Sequence, residues 1–553
     1  MRRISLLPSG HRDSFARDNL PPPELWPELD LSGLPALGAY PRRLNCAAAL
    51  LDAQIAAGRS DKPLLFFGDE EWTYARVHNA ANRIAGVLTR GMGVVPGNRV
   101  LLRAGNTPMM VSAWLAVVKA GAVAVATMPL LRARELATII DKAQVEFALC
   151  DRALKEELEL ARDSAPGLVS VAYWGSGASD GLEAQMVQQS GEFAAAETSA
   201  DDVALIAFTS GTTGAPKGCM HFHRDILAMA DSYSATILQP TADDIFCGTP
   251  PLAFTFGLGG LLVFPMRVGA AVALTVKPGP EPLMEAIVRH QATVCFTAPT
   301  AYRTMAGMTD EHDLASLKKC VSAGETLPKA TFELWRQATG IGIMDGIGTT
   351  EMLHIFISAA GDDIRPGATG WAVPGYSALV IGEDGAPVEA GEIGRLAIKG
   401  PTGCRYLADP KRQAEYVRDG WNLTGDAYRM DEDGYFWYQA RTDDMIISAG
   451  YNIAGPEVEA ALLDHPLVKD CAVVGAPDPE RGTVVKAFVV LDQPARACDA
   501  TAKDLQEFVK RQIAPYKYPR LVEFLPDLPR TETGKVQRFR LRQQEKQRLA
   551  AAS

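Results

Sequence analysis

The chain has 553 residues, is 47% hydrophobic and 22% charged, and carries a net charge of −11. Its length predicts two or more domains, its composition is that of a globular protein, and its acidic balance opposes a general nucleic-acid-binding role. No apolar run of roughly 18 residues predicts a membrane span, and Met1–Asp13 lacks the apolar core and cleavage site of a secretory signal.

Residues 1–45 are proline-rich, with Leu20-Pro21-Pro22-Pro23, and predict an extended arm. From Asn45 to Phe208, helical and strand patterns alternate. Ala80–Thr89, Met110–Ala120 and Arg134–Lys142 read as helices; Arg99–Arg103, Ala122–Ala126 and Glu146–Cys150 read as strands. Such alternation predicts a parallel sheet covered by helices on both faces. Residues 164–200 predict a loosely structured connection. A second alternating block spans about 203–380, and Gly375–Lys399 predicts a small β subdomain. Beyond it, Glu457–Leu463, Cys471–Val474, Lys486–Leu491 and Leu505–Gln512 predict a compact α+β module of about a hundred residues. The fold class is therefore α/β: a large N-terminal domain of parallel-type sheets with helices plus a small β subdomain, and a small α+β C-terminal domain. The nine cysteines form no Cys-x-x-Cys pair. An odd count without a framework predicts free thiols and a cytoplasmic location.

Residues 209–218 read Thr-Ser-Gly-Thr-Thr-Gly-Ala-Pro-Lys-Gly, after the strand-like Val203–Phe208 and before a segment whose later part reads as helix. This composition makes a phosphate cradle. Gly211 and Gly214 let backbone N–H groups approach an anion. Thr209, Ser210, Thr212 and Thr213 offer hydroxyl donors, and Lys217 adds a point charge. The spacing is not that of a Walker A loop. Further on, Gly346-Ile347-Gly348-Thr349-Thr350-Glu351 places a carboxylate after a glycine-rich turn, a ligand of the kind Mg²⁺ prefers. Gly425-Asp426 taken alone is a turn. Arg441–Asp444 taken alone is a surface charge cluster, and Lys535 alone is an ordinary solvated lysine. Cys219-x-His221-x-His223 has only part of a zinc ligand set.

Taken in order, these runs resemble the motifs of the adenylate-forming superfamily of acyl-CoA synthetases, luciferases and peptide-synthetase adenylation domains, over about residues 45–545. The resemblance implies a mobile C-terminal domain, with boundaries 1–440, a hinge at 441–445 containing Asp443, and 446–553. It implies ATP, Mg²⁺ and coenzyme A, with Glu351 holding the metal and Thr350 on the α-phosphate. Asp426 would hold the ribose hydroxyls, and Arg441 would be the second ribose or a phosphate contact. Gly346, Ile347, Gly348 and Thr349 would line the nucleotide site, although the family usually has an aromatic residue at Ile347. Ser448, Ala449 and Gly450 would border the pantetheine tunnel, where the family often has two glycines. Lys535 would bridge the substrate carboxylate and the α-phosphate. Residues 503–548 hold twelve Lys/Arg against six Asp/Glu; they read either as part of a field attracting the anionic substrates or as a solvated terminal helix.

The acyl pocket is expected from Phe254, Thr255, Phe256, Gly257, Ala298, Ala323, Gly324, His354 and Ile355, an apolar set suited to a flat ring bearing a carboxylate. The strings around 322 and 346 and Asp13–Pro21 resemble benzoate and 2-aminobenzoate CoA ligases. By family position Phe254 gates the pocket. His354 either hydrogen-bonds a ring substituent or is a satisfied core histidine. The expected activity is ATP-dependent ligation of an aromatic carboxylic acid to CoA. An aliphatic acyl-CoA synthetase, and an enzyme loading a separate carrier protein, stay open. Expected partners are the small-molecule acid, ATP and CoA, with a homodimer and a lysine acetyltransferase acting on Lys535 as open candidates.

Overall fold

The computed structural model describes residues 6–175, 177–209, 216–441, 445–448, 451–478, 482–513, 515–530 and 535–552. Strands β1 (Arg99–Arg103), β2 (Val123–Thr127) and β3 (Phe147–Asp151) form the parallel heart of a six-stranded sheet. Their side chains alternate between two cores. Val100, Leu102 and Ala124 face one core with helices α1 (Tyr74–Gly86) and α2 (Pro108–Lys119), while Leu101, Val123 and Val125 face the other with α3 (Ala133–Ala143). The starts of α1 and α2 are capped by the Thr73 and Thr107 side chains, which accept from Arg76 N and Met110 N.

The segment 164–200 differs from expectation. It contains β4 (Ser170–Trp174), which extends the sheet parallel to β3, and a short helix, Leu182–Val187. β4 is short and lies at an edge, so its pattern is too brief to stand out from the surrounding glycine and serine. β5 (Val203–Thr209) pairs parallel with β2, and β6 (Lys217–Phe222) returns antiparallel, with Thr209 opposite Lys217. The described ends of the run at 209–218 are therefore paired with each other across two antiparallel strands. Helix α4 (His223–Met229) begins only after β6 and continues in π-helical geometry through Leu238.

A nine-stranded sheet carries parallel strands β7 (Ile245–Gly248), β8 (Ala271–Leu274), β9 (Val294–Thr297), β10 (Lys319–Ala323) and β11 (Ile343–Gly348), then β12 (Ile355–Ser358) antiparallel to β11. Its parallel strands end at one edge, where open α/β sheets bind ligands. The expected β subdomain is a five-stranded sheet containing β13 (Ser377–Ile381), β14 (Ile393–Lys399), β15 (Trp421–Met430) and β16 (Phe436–Arg441). The smaller C-terminal domain packs α5 (Gly455–Leu463), α6 (Asp499–Gln512) and α7 (Arg538–Ala552) around β17 (Val468–Asp478), β18 (Gly482–Leu491) and β19 (Leu521–Phe524). Eight cysteines are buried free thiols and Cys498 is exposed. Among the described residues no helix is long and apolar enough to cross a membrane.

One buried ion pair locks the middle of the N-terminal domain. Arg405 Nη1 donates to Asp225 Oδ2 at 2.8 Å, and neither side chain reaches solvent. The guanidinium lies 4.0 Å over the Phe222 ring. Breaking such a pair leaves an uncompensated buried charge, at about 3–5 kcal/mol. Asp225→Asn should therefore lower the thermal unfolding midpoint more than the joint replacement Asp225→Leu, Arg405→Met, measured by calorimetry.

Candidate functional site

Lys217 opens β6, half-buried, with its ammonium 5.9 Å above the Tyr406 ring. Residues 405–407 line the free edge of β6: Met220 N donates to Arg405 O and Leu407 N to Gly218 O, each at 2.8 Å. From α3, Lys142 Nζ donates to Pro216 O at 3.0 Å, just before β6. Thr209 ends β5, whereas Ser210, Gly211, Thr212, Thr213 and Gly214 lie outside the described residues.

Glu351 stands on the turn that follows β11. Tyr406 O–H donates to its Oε1 at 2.6 Å, leaving Oε2 for another partner. Thr349 Oγ1 accepts from Met352 N at 3.1 Å and starts the turn. Gly346, Ile347 and Gly348 form the end of β11. Asp426 is paired across the β15–β16 ladder with Arg441, whose Nη1 lies 3.3 Å from Oδ1. Burial raises the Asp426 pKa, and Arg441 opposes that rise. The Arg441 guanidinium packs against Gly425, so a Cβ there would displace it.

Lys535 reaches this cleft from the C-terminal domain. It is an exposed residue, yet its Cε and Nζ lie 3.7 and 3.8 Å from where a Cβ would stand at Gly324. Crowding lowers its pKa, while the Glu325 and Asp426 carboxylates pull it back up. Lys217, Glu351, Tyr406, Arg412, Tyr416 and Arg441 together border a cavity of about 190 Å³. Arg412, Tyr406 and Tyr416 were missed from the sequence. Arg412 sits on a short helix, Pro410–Tyr416, and nothing in its local pattern separates it from a surface arginine. The carboxyl of Asp345 on β11 was also missed. It accepts from Ser322 Oγ at 2.6 Å, and burial pushes its pKa up to about 7.

Among the expected acyl residues, Phe256 and His354 lie together in an aromatic cluster. His354 is 2% exposed. Its ring meets Phe264 edge-on at 4.5 Å, Phe256 at 5.7 Å and Tyr233 at 5.6 Å. Gly259 makes room for it, since a Cβ there would strike the imidazole. Its Nε2 has only a long contact, 3.4 Å, to Phe256 O, and its Nδ1 has no hydrogen-bond partner. Burial pushes its pKa down to about 3, so the ring is neutral. His354 is thus not a satisfied core histidine. Phe254 precedes the short helix Thr255–Leu258, which carries Phe256 and Gly257. Ala298 caps the helix Pro299–Ala306, and Ala323 ends β10. Ile355 packs under Gly346, so its side chain supports the glycine turn. Ser448 is buried on strand Ile446–Ser448, while Asp443, Ala449 and Gly450 lie outside the described residues.

The cysteine–histidine run and the basic stretch bear on metal and charge. Cys219 lies buried with Cys404, His221 Nε2 meets Thr350 O, and His223 Nδ1 accepts from Cys46 N, so the Cys-x-His-x-His side chains do not converge. Four cations of the basic 503–548 stretch pair within their own domain: Lys517 to Glu457, Arg530 to Asp470, Arg538 to Glu459, and Arg548 to Glu523 and Glu545. Its final helix is packed through buried Leu541 and Glu545.

Two outcomes follow from these charges. Lys535 should lose its proton below the ordinary 10.5, and Glu325→Gln should move that loss to still lower pH. The pH profile of Lys535 acylation by an amine-reactive reagent, read by mass spectrometry, checks this. Asp345 has a folded pKa above its ordinary 3.8, so its contribution favours the folded state at low pH and is lost as pH rises towards about 7. Asp345→Asn should flatten the unfolding midpoint across that window.

A sequence profile of the AMP-binding enzyme family matches residues 52–406, and one of the AMP-binding enzyme C-terminal domain matches residues 457–535. The chain is 36% identical over 519 residues to a benzoate–CoA ligase of Thauera aromatica, covering 93% of this chain and 98% of that one. The crystal structure of the anthranilate CoA ligase AuaEII in complex with anthranoyl-AMP shares the fold with a TM-score of 0.88 at 35% identity, covering 93% and 99%. A benzoate CoA ligase from Burkholderia xenovorans LB400 does so with a TM-score of 0.83 at 32% identity, covering 90% and 100%. With both profiles matched in order and the fold shared along nearly the whole chain, the protein belongs to the AMP-binding enzyme family.

Proposed function

We propose that the protein is an AMP-forming CoA ligase that activates an aromatic carboxylic acid of the benzoate or 2-aminobenzoate type. One observation carries this reading: Lys217, Glu351, Asp426, Arg441 and Lys535, scattered over more than 300 residues of sequence, meet at one cleft beside the aromatic cage around His354. The similarity to benzoate and anthranilate ligases supports the choice of acid.

In the first step an oxygen of the substrate carboxylate attacks the α-phosphorus of ATP. The bond to the bridging oxygen breaks, giving acyl-adenylate and pyrophosphate. Lys217 neutralises phosphate charge, and the Asp426 carboxylate accepts from the ribose hydroxyls while Arg441 holds it in place. Lys535, delivered to Gly324 by the C-terminal domain, sits where it can meet the carboxylate and the α-phosphate as charge shifts between them. Glu351 offers one carboxylate oxygen, a donor set that fits Mg²⁺ bound through one carboxylate, substrate phosphates and water. Mg²⁺ bound there would offset the charge of the leaving pyrophosphate. In the second step the CoA thiolate attacks the acyl carbonyl and expels AMP. Rotation of the C-terminal domain about the hinge at 441–445 would withdraw Lys535 for this step and bring in residues 448–450. Acetylation of Lys535 would remove its charge and block the first step alone. The buried free thiols support a cytoplasmic location.

The unpartnered His354 Nδ1 favours an acid with a polar ring substituent, because binding such a group would satisfy a buried polar atom. AMP release with Mg·ATP, with and without CoA, should be greatest with one or two of benzoate, 2-aminobenzoate and the hydroxybenzoates. It should fall off for C2–C10 aliphatic acids. Preference for the aliphatic series would overturn the aromatic pocket, and adenylate formation without CoA transfer would point to a carrier protein. His354→Ala should lower kcat/KM for the polar-substituted acid about tenfold more than for benzoate. Equal losses would exclude a substituent contact.

A further inference from the structure

The turn bearing Glu351 does not hold itself. Leu353 closes it with φ of +74°, a left-handed conformation that a leucine adopts only when its surroundings impose it. Within the turn, Leu353 N donates to Thr350 O at 3.2 Å and Met352 N to Thr349 O at 3.2 Å. Besides a long contact of 3.4 Å between the Tyr416 hydroxyl and Thr349 Oγ1, the constraint from outside comes from three side chains. Thr402 Oγ1 donates to Met352 O at 2.7 Å, Tyr406 donates to Glu351, and His221 Nε2 donates to Thr350 O at 2.8 Å.

His221 differs from the other two in its strand. It lies on β6 four residues after Lys217, so both side chains emerge on the same face of an extended strand, about 13 Å apart. The imidazole is fully buried, and its hydrogen bond to the Thr350 carbonyl requires the proton on Nε2. Its Nδ1 is left without a partner, 4.0 Å from Asp225 Oδ2, and Arg405 completes the charged surroundings. Burial drives its pKa down to about 4, which keeps the ring neutral. An orphaned buried nitrogen is a standing cost, and what it accompanies is one hydrogen bond to the peptide immediately before Glu351.

We propose that His221 is a positioning residue for metal binding, which couples the strand carrying Lys217 to the turn carrying Glu351. Its donation to Thr350 O fixes the direction in which the Glu351 carboxylate presents its free oxygen to the divalent cation of the metal–ATP complex. This inference rests on the adenylation reading above.

The test uses Mn²⁺ as probe, with binding to the full-length protein plus ATP followed by electron paramagnetic resonance, alongside Mg²⁺ titrations of acid-dependent pyrophosphate exchange. His221→Ala should weaken Mn²⁺ binding and raise the Mg²⁺ requirement by about tenfold each. CoA transfer from a synthetic aroyl-adenylate should stay within about twofold of wild type, because that step does not use the Glu351 cation. His221→Gln, which places an amide N–H near the position of Nε2, should restore most of both metal readouts. Unchanged Mn²⁺ binding in His221→Ala, or an equal loss of exchange and CoA transfer, would overturn the proposal, as would failure of His221→Gln to restore either metal readout. A wild-type protein that shows no acid-dependent exchange would instead sink the functional reading itself.

Discussion

The placing of Lys217 and Glu351 at the cleft depends on how β6 is held. One edge pairs with β5 and the other with residues 405–407, so a six-residue strand is bonded on both sides. Its side chains then reach in two directions. Lys217, Cys219 and His221 face the cleft side, while Met220 and Phe222 enter the core behind it. The Arg405–Asp225 pair lies beneath and ties the 405–407 segment to the start of α4. Because the next residue, Tyr406, holds Glu351, a single local arrangement sets the lysine, the carboxylate and the turn between them.

A chain of net charge −11 that handles polyanions must concentrate cations locally. It does so by bringing Lys217, Arg412, Arg441 and Lys535 together from separate elements. Within the basic C-terminal stretch, Lys517, Arg530, Arg538 and Arg548 are matched by carboxylates of their own domain. Lys535 faces the cleft instead. It crosses to Gly324 and Glu325, which gives the C-terminal domain an electrostatic reason to dock in this pose.

The aromatic cage follows a different rule. Phe256, Phe264, Phe296 and Tyr233 exclude water around His354, and two close-packed glycines, Gly259 and Gly260, let the rings approach. His354 Nδ1 is buried without a hydrogen-bond partner. An unmet polar atom in an apolar cage is costly by itself and becomes useful only when a ligand meets it.

The amino-acid sequence by itself determined the order of elements and the identity of the chemistry. Period-2 and period-3.6 patterns placed Arg99–Arg103 and the helices near 110 and 134 almost to the residue, because each buries a face that must be apolar. Glycine-rich turns with hydroxyls, a lysine and a carboxylate were legible because few other structures need such a mixture. Only the tertiary structure decided what surrounds them. The edge strand Ser170–Trp174, the positions of Arg412 and Asp345 and the roles of Tyr406 and His221 all arise from contacts between distant segments. A hydrogen bond such as His221 to Thr350 spans 129 positions. Sequence pattern records which residues a segment must bury, whereas such a bond depends on which segments the packed sheets bring side by side.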